Sequence, residues 1–224
     1  MQIKTIGLVR SPFKDKFGTP RQSQIAKKSV SKLVFDKKIA PPEILEGLEP
    51  DTYVWILFWF HLNQQKKPIR KVHPPRLRGK TMGVLATRSP HRPNPIGLSL
   101  GKILAIDKHI VTVEGLDLVD KTPIVDVKPY LPDFDKPAAK NFAWIEQNPF
   151  PQLEVRFTDD VFEGVSKKQS TELREHLSDI LIEDPRPLAY LNKPHHTYWV
   201  KYGDYDVGFE IKDGVLTVKE LKTL

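Results

Sequence analysis

The first half of the chain carries apolar residues in short runs broken by turn formers. Tyr53 to Phe60 is apolar without alternation, the pattern of a strand buried on both faces and the centre of a first core. Ile3 to Val9 alternates weakly and predicts a first strand ending at Ser11-Pro12. Leu33 to Phe35, Met82 to Thr87 with the apolar run Gly83 to Ala86, and Leu98 to Ile106 predict further strands. Asp107-Lys108-His109 turns the chain into Ile110 to Glu114 as a hairpin, and Pro42 to Leu48 predicts one helical turn. Several short strands with little helix argue for a closed or nearly closed barrel over a doubly wound sheet. No G-x-G-x-x-G follows a strand, which argues against a Rossmann-type nucleotide site.

The period changes towards the C-terminus. Thr158 before Asp159 and Asp160 predicts an N-cap and a short helix to about Lys168. Leu173, Leu177, Ile180 and Leu181 then share one face of an amphipathic helix over Thr171 to Glu183, stopped by Asp184-Pro185. Tyr205, Val207, Phe209 and Ile211 alternate with polar residues as a half-buried strand, which Lys212-Asp213-Gly214 turns back into Val215 to Leu221. The predicted class is α+β. A mainly antiparallel β-barrel spans 1–138, a linker in the proline- and charge-rich stretch spans 139–152, and a small α+β domain, helices then a β-hairpin, spans 153–224.

Composition narrows the function. The absence of cysteine excludes disulfides and thiolate metal sites. No signal-peptide pattern opens the chain and no apolar run is long enough to span a bilayer, so a cytoplasmic protein without a membrane partner is expected. Lysine and arginine number 35 against 28 acids. Their distribution says more: no acid lies between Asp51 and Asp107, where Lys66, Lys67, Arg70, Lys71, Arg76, Arg78, Lys80, Arg88, Arg92 and Lys102 fall. A one-sign window of this kind attracts phosphates and predicts an RNA partner. Part of it, Lys66 to Lys80, reads as a long exposed loop.

Inside the window lies Thr87-Arg88-Ser89-Pro90-His91-Arg92-Pro93-Asn94-Pro95-Ile96-Gly97-Leu98-Ser99. Its prolines fix φ and remove backbone donors, so Pro90 to Pro95 is neither helix nor central strand. Arg88, His91, Arg92 and Asn94 thus stand on a stiff base, which lowers the ordering cost of binding. Thr19-Pro20-Arg21-Gln22 repeats the idea on a smaller scale. His61, at the end of the apolar strand, is either a ligand contact or the first polar residue of a turn. Asp117, Asp120 and Asp126 bring three carboxylates, together with Lys128 and Tyr130. His195-His196 lacks a third ligand at sensible spacing, so no metal is expected.

The loop resembles the signature of the TrmO (TsaA-like) family of tRNA methyltransferases, close to T-R-S-x-x-R-P-N-P-I-G, and similar islands run in order over nearly the whole chain. These are Pro20-Arg21-Gln22, Tyr53 to His61, Pro74-Pro75-Arg76-Leu77, Leu116 to Tyr130 and Asp184-Pro185-Arg186-Pro187. The resemblance implies a barrel that binds S-adenosylmethionine without a Rossmann site, a homodimer, and a tRNA substrate. The implied reaction is methylation of N6 of threonylcarbamoyladenosine on the 3′ side of the anticodon, at position 37. It also implies that Pro20, Arg21, Gln22, His61, Leu62, Arg88, Leu98, Glu114, Gly115, Leu116 and Asp117 line the cofactor site. Arg92, Asn94, Lys128, Tyr130, Arg76 and Arg186 then face the RNA.

Asp126 and Asp117 are the candidates for a base acting on N6, and Asp126 is equally a strand-end residue that caps a turn. The chain departs from the family at Leu62, where glutamine is frequent, at Lys121, where glycine is usual, and at Leu188, which interrupts D-P-R-P-A-Y. The competing readings are a non-catalytic RNA-binding module and a hydrolase using His91 or His61. The latter lacks a nucleophile in a recognisable elbow.

Overall fold

A computed structural model describes residues 2–63, 69–150, 152–186, 190 and 196–224. Lys66, Lys67, Pro187, Leu188 and His195 lie outside the described residues.

Strands β1 (Gly7–Arg10), β2 (Val30–Phe35), β3 (Tyr53–Trp59), β6 (Ile96–Asp107), β7 (Ile110–Glu114) and β8 (Pro123–Pro129) close a barrel in the order β1-β2-β7-β6-β3-β8. Between β3 and β6, the two-residue strands β4 (Lys71–Val72) and β5 (Met82–Gly83) pair antiparallel. Val9, Leu33, Phe35, Val54, Ile56, Phe58, Ile103, Val111, Val113 and Ile124 are buried, as the period-2 geometry of strands requires of one face. β3 differs from its reading as a strand buried on both faces: Val54, Ile56 and Phe58 are buried, while Tyr53, Trp55 and Leu57 are half-buried and Trp59 is exposed. The apolar outer row makes this barrel wall unlike an ordinary solvated one.

Two further expectations fail locally. Gly83 to Ala86 is not a buried strand; Val84–Ala86 is a single 3-10 turn and Leu85 is 76% exposed. Periodicity cannot separate such a short apolar run from a turn. The stretch Lys66 to Lys80 is not wholly loop, since β4 and a 3-10 turn at Pro75–Leu77 lie within it.

After β8 come two single-turn helices, α1 (Pro132–Asp135) and α2 (Ala143–Glu146). β9 (Glu154–Phe157) follows, then α3 (Lys167–Leu181), β10 (Tyr198–Tyr202), β11 (Tyr205–Lys212) and β12 (Val215–Thr223). These strands form a sheet in the order β10-β11-β12-β9, with β9 parallel to β12. No helix starts at Thr158; α3 starts after Ser166, whose Oγ accepts from Gln169 N at 3.4 Å. Leu173, Leu177, Ile180 and Leu181 are all buried, as their spacing predicts.

The chain packs as two compact units that interleave in sequence. One holds Met1–Arg10, Lys32–Val113 and Lys121–Phe150; the other holds Ser11–Ser31, Glu114–Asp120 and Pro151–Leu224. In the second unit, Phe13 and Ala26 sit in one apolar cluster with Leu177, Leu181, Tyr202, Val207, Phe209 and Leu216. One N-terminal segment, Ser11–Ser31, is thus part of a C-terminal core.

Candidate functional site

In the barrel unit, the Pro-rich loop is held by its own side chains. Thr87 Oγ1 donates to Val84 O at 2.8 Å, and Ser89 N and His91 N donate to Thr87 Oγ1 and Ser89 Oγ at 3.2 and 3.3 Å. Arg92 Nη1 donates to Thr87 O at 2.7 Å, and Asn63 Nδ2 to Pro90 O at 2.8 Å. Each bond replaces a ladder partner that the prolines forbid, so the loop is ordered before anything binds. Arg92 therefore staples the loop, whereas Arg88 and Asn94 are exposed on it. His61 and Leu62 form the turn after β3, where His61 N donates to Trp59 O at 2.8 Å.

The outer wall of the barrel gathers several of the remaining residues. In register, Leu57 lies opposite Leu98 on one side and Asp126 on the other, while Trp55 lies opposite Leu100 and Lys128. Tyr130 meets the rings of Tyr53 and Trp55 edge-on at 6.3 and 5.8 Å. Leu98, Asp126, Lys128 and Tyr130 thus share one face with an aromatic floor. The Lys128–Asp126 ion pair, 2.9 Å, is exposed on both partners and contributes at most about 1 kcal/mol. Asp126 Oδ1 also accepts from Val127 N at 2.9 Å. Arg76 lies elsewhere in this unit, its guanidinium 3.9 Å from the centre of the Phe150 ring.

In the second unit, Glu114–Asp117 is tied by the backbone to the segment that follows Pro20–Gln22. Gln24 N donates to Gly115 O at 2.8 Å, and Gly115 N to Ser29 O at 3.1 Å. Gly115 has φ +82°, and its α-carbon lies against the Gln24 side-chain amide, so a Cβ there would overlap that amide. Glycine adopts this φ without strain; any larger residue would also have to displace the end of the flexible Gln24 side chain. Leu116 is 1% exposed, a core residue, while Asp117 is half-buried. Lys121, just beyond, has φ +64°, the left-handed conformation that explains a usual glycine there; lysine accepts it at a cost of about 1 kcal/mol.

Ser29, Tyr202 and His176, which the sequence did not single out, form a side-chain chain beside this cradle. Ser29 Oγ lies 3.2 Å from Tyr202 Oη, which lies 2.9 Å from His176 Nδ1 on α3. Arg21 Nη2 donates to Asp184 O at 2.7 Å. Arg186 is not splayed into solvent: Nε and Nη2 fork onto the Asp184 carboxylate at 2.9 and 2.8 Å. Nothing in local spacing could have announced Asp184 as the partner of Arg21 or Tyr202 as that of Ser29, which lie 163 and 173 residues apart. Among the described residues, no group of three His, Asp or Glu side chains could hold a metal ion.

Burial lowers the pKa of His176, against the opposing pull of Glu172, Asp179 and Glu175 and with a small push from Lys28. The unfolded chain then binds more protons than the fold between the lowered value and 6.5, so stability falls as pH drops through that window and is complete above it. Asp179, raised by burial above 3.8, destabilises the fold as pH rises through its own window. The urea midpoint of the wild type is expected to fall towards that of His176→Asn between about pH 7.5 and about pH 5.5. A pH-independent difference would remove the assignment.

The N-terminal domain of tRNA-methyltransferase O matches residues 8–136, and the C-terminal domain of TrmO matches residues 150–224. The tRNA (adenine(37)-N6)-methyltransferase of Escherichia coli K12 is 36% identical over 230 residues, 99% of this chain and 97% of that protein. A Pseudomonas aeruginosa protein whose name describes an S-adenosylmethionine-dependent methyltransferase is 36% identical over 211 residues, 92% and 90% of the two chains. The crystal structure of TrmO from Pseudomonas aeruginosa superposes with a TM-score of 0.80 at 29% identity, covering 99% of this chain and 98% of that one. With both halves of the chain matched in order and the fold shared, this protein belongs to the tRNA-methyltransferase O family.

Proposed function

We propose that the protein is an S-adenosylmethionine-dependent tRNA methyltransferase acting on N6 of the adenine at position 37, with threonylcarbamoyladenosine as the methyl acceptor. The observation that carries this reading is the cradle at Gly115, where the proposed cofactor segment Glu114–Asp117 is tied backbone to backbone to Gln24 and Ser29, just beyond the proposed segment Pro20–Gln22. The donor set fits the cofactor: guanidinium groups at Arg21 and Arg88 suit a methionine carboxylate, and the carboxylates of Glu114 and Asp117 suit ribose hydroxyls. His61, Leu62, Leu98, Pro20 and Gln22 complete the proposed lining.

When bound, the cofactor supplies an electrophilic sulfonium methyl. N6 of the modified adenosine is a urea-like N–H, a poor nucleophile until its proton leaves. Asp126 is proposed as the base that takes that proton, with Asp117 the other candidate. Lys128 and Tyr130 flank Asp126 on the same wall and would position the base. Arg88, Arg76 and Asn94 offer phosphate contacts, Arg92 orders the loop that presents them, and the acid-free window between Asp51 and Asp107 adds attraction to RNA. The exposed Trp59 and Leu98 on the outer wall support a homodimer, in which a second copy would dry this face. The compartment proposed is the cytoplasm; among the described residues no helix is long and apolar enough to cross a membrane.

Calorimetric titration with S-adenosylhomocysteine tests the reading. One-to-one binding is expected, weakened at least about tenfold in Arg88→Ala through loss of a charge-assisted contact. Asp126→Asn is expected to bind normally and lose methyl transfer to tRNA bearing the threonylcarbamoyl group. Absence of binding with and without tRNA, alongside salt-dependent RNA affinity, would favour a non-catalytic RNA-binding module instead.

A further inference from the structure

We infer that Asp184 and Arg186 are positioning residues for the cofactor segment: their ion pair locks a left-handed turn whose carbonyl holds the Arg21 guanidinium. The inference rests on the reading that Pro20–Gln22 lines the cofactor site.

The turn is built to be rigid. α3 ends at Leu181, Pro185 forbids the helix from resuming, and Asp184 between them has φ +45°. A non-glycine residue is held there only when surrounding bonds over-determine it. The Asp184 carboxylate supplies them, accepting from Arg186 Nε at 2.9 Å, Nη2 at 2.8 Å and backbone N at 3.2 Å. Both side chains are only 10% exposed, so water screens the pair weakly. The backbone oxygen of that same residue accepts from Arg21 Nη2 at 2.7 Å. That bond anchors one corner of the planar guanidinium and so restricts where the rest of it can lie. Thr19, Pro20 and Arg21 line one cleft with Ile180 and Pro185, which places the cofactor segment directly on the end of α3.

The arrangement assigns a different task to a motif that reads, in sequence, as an RNA contact. An arginine already forked onto a buried carboxylate recognises phosphate poorly, because the swap would leave Asp184 charged and alone. Arg186 acts through Asp184 on Arg21, and touches neither cofactor nor RNA.

A double-mutant cycle on the full chain decides the matter. Asp184→Asn keeps a residue that tolerates the left-handed turn and removes the charge; Asp184→Gly keeps the turn and deletes the carboxylate, in case the first variant folds poorly. Each is expected to lower S-adenosylhomocysteine affinity about tenfold and raise KM for S-adenosylmethionine, with kcat at saturation and tRNA affinity unchanged. Arg21→Ala should lower affinity similarly, and Arg21→Ala with Asp184→Asn no further. Additive losses, or wild-type affinity in both Asp184 variants while Arg21→Ala is impaired, overturn the inference alone. So does loss of tRNA affinity in Arg186→Gln with cofactor affinity intact. A wild type that binds no S-adenosylhomocysteine, with or without tRNA, overturns the functional reading and the inference with it.

Discussion

Phe13→Ala is expected to destabilise the protein by about 3–5 kcal/mol, among the largest single-residue effects on folding in this chain. The ring is fully buried, in one cluster with Leu177, Leu181, Val207 and Phe209, and packs at 5.7 Å against the ring of Tyr202. Truncation removes a large transfer term and leaves a cavity that the surrounding sheet and helix cannot close without losing their own contacts. The backbone at this position resists collapse as well. Phe13 N is held by Ser11 Oγ at 3.1 Å, its carbonyl accepts from Asp120 N at 2.7 Å, and it bridges Tyr202. Urea unfolding of wild type and variant measures the cost. A loss under about 1 kcal/mol would mean that the N-terminal segment is not part of this core.

That dependence was not legible in the sequence. Phe13 stands in a polar stretch between Pro12 and Lys14, with no period to mark it as core, and its partners lie more than half the chain away. Periodicity reports which face of an element is buried and is silent on what covers it. For the same reason α3 was legible through Leu173, Leu177, Ile180 and Leu181, whereas the packing of Ser11–Ser31 into the unit that contains it was not. The barrel strands were readable because turn formers bracket them. The run Val84 to Ala86 was not, because three apolar residues with an exposed Leu85 look the same as a short buried strand. The short helix expected from Thr158 does not form, for a related reason: Thr158-Asp159-Asp160 has capping chemistry, but α3 is capped by Ser166, a few residues before the Thr171 start its apolar spacing suggested.

The candidate site divides the same way. Prolines and glycines announce backbone constraints, so Pro20, Pro90 to Pro95 and Gly115 stood out, and the structure finds a tied loop or cradle at each. What holds those constraints in place is long-range. Asp184 for Arg21 and Tyr202 for Ser29 are separated from their partners by 163 and 173 residues, beyond any motif. Arg92 and Arg186 add what the sequence did not show: an arginine in a rigid polar stretch reads there as a ligand contact, and in the structure both also make bonds that order their own loops.

Gly115→Ala is expected to remove most cofactor affinity while leaving the fold largely intact. Its φ of +82° costs an alanine about 1–2 kcal/mol, a loss the core of either unit can absorb. The local consequence adds to this: the new Cβ would push aside the Gln24 side-chain amide, the far end of a flexible side chain, while relief of the strained φ would shift the Gly115 carbonyl that Gln24 N holds. A cradle displaced by even about 1 Å can lose two orders of magnitude in a process that depends on orientation. S-adenosylhomocysteine affinity is therefore expected to fall by more than about tenfold. Gly203→Ala supplies the comparison, since its φ is +58° but a Cβ there meets nothing within 4 Å. That variant should show the backbone cost in urea and no change in binding. Adding Gln24→Ala to Gly115→Ala removes the crowded amide and should restore part of the affinity without restoring the stability, because the backbone strain remains. If Gly115→Ala binds as the wild type does, Gly115 serves only the turn, and the islands it joins would no longer mark the cofactor site.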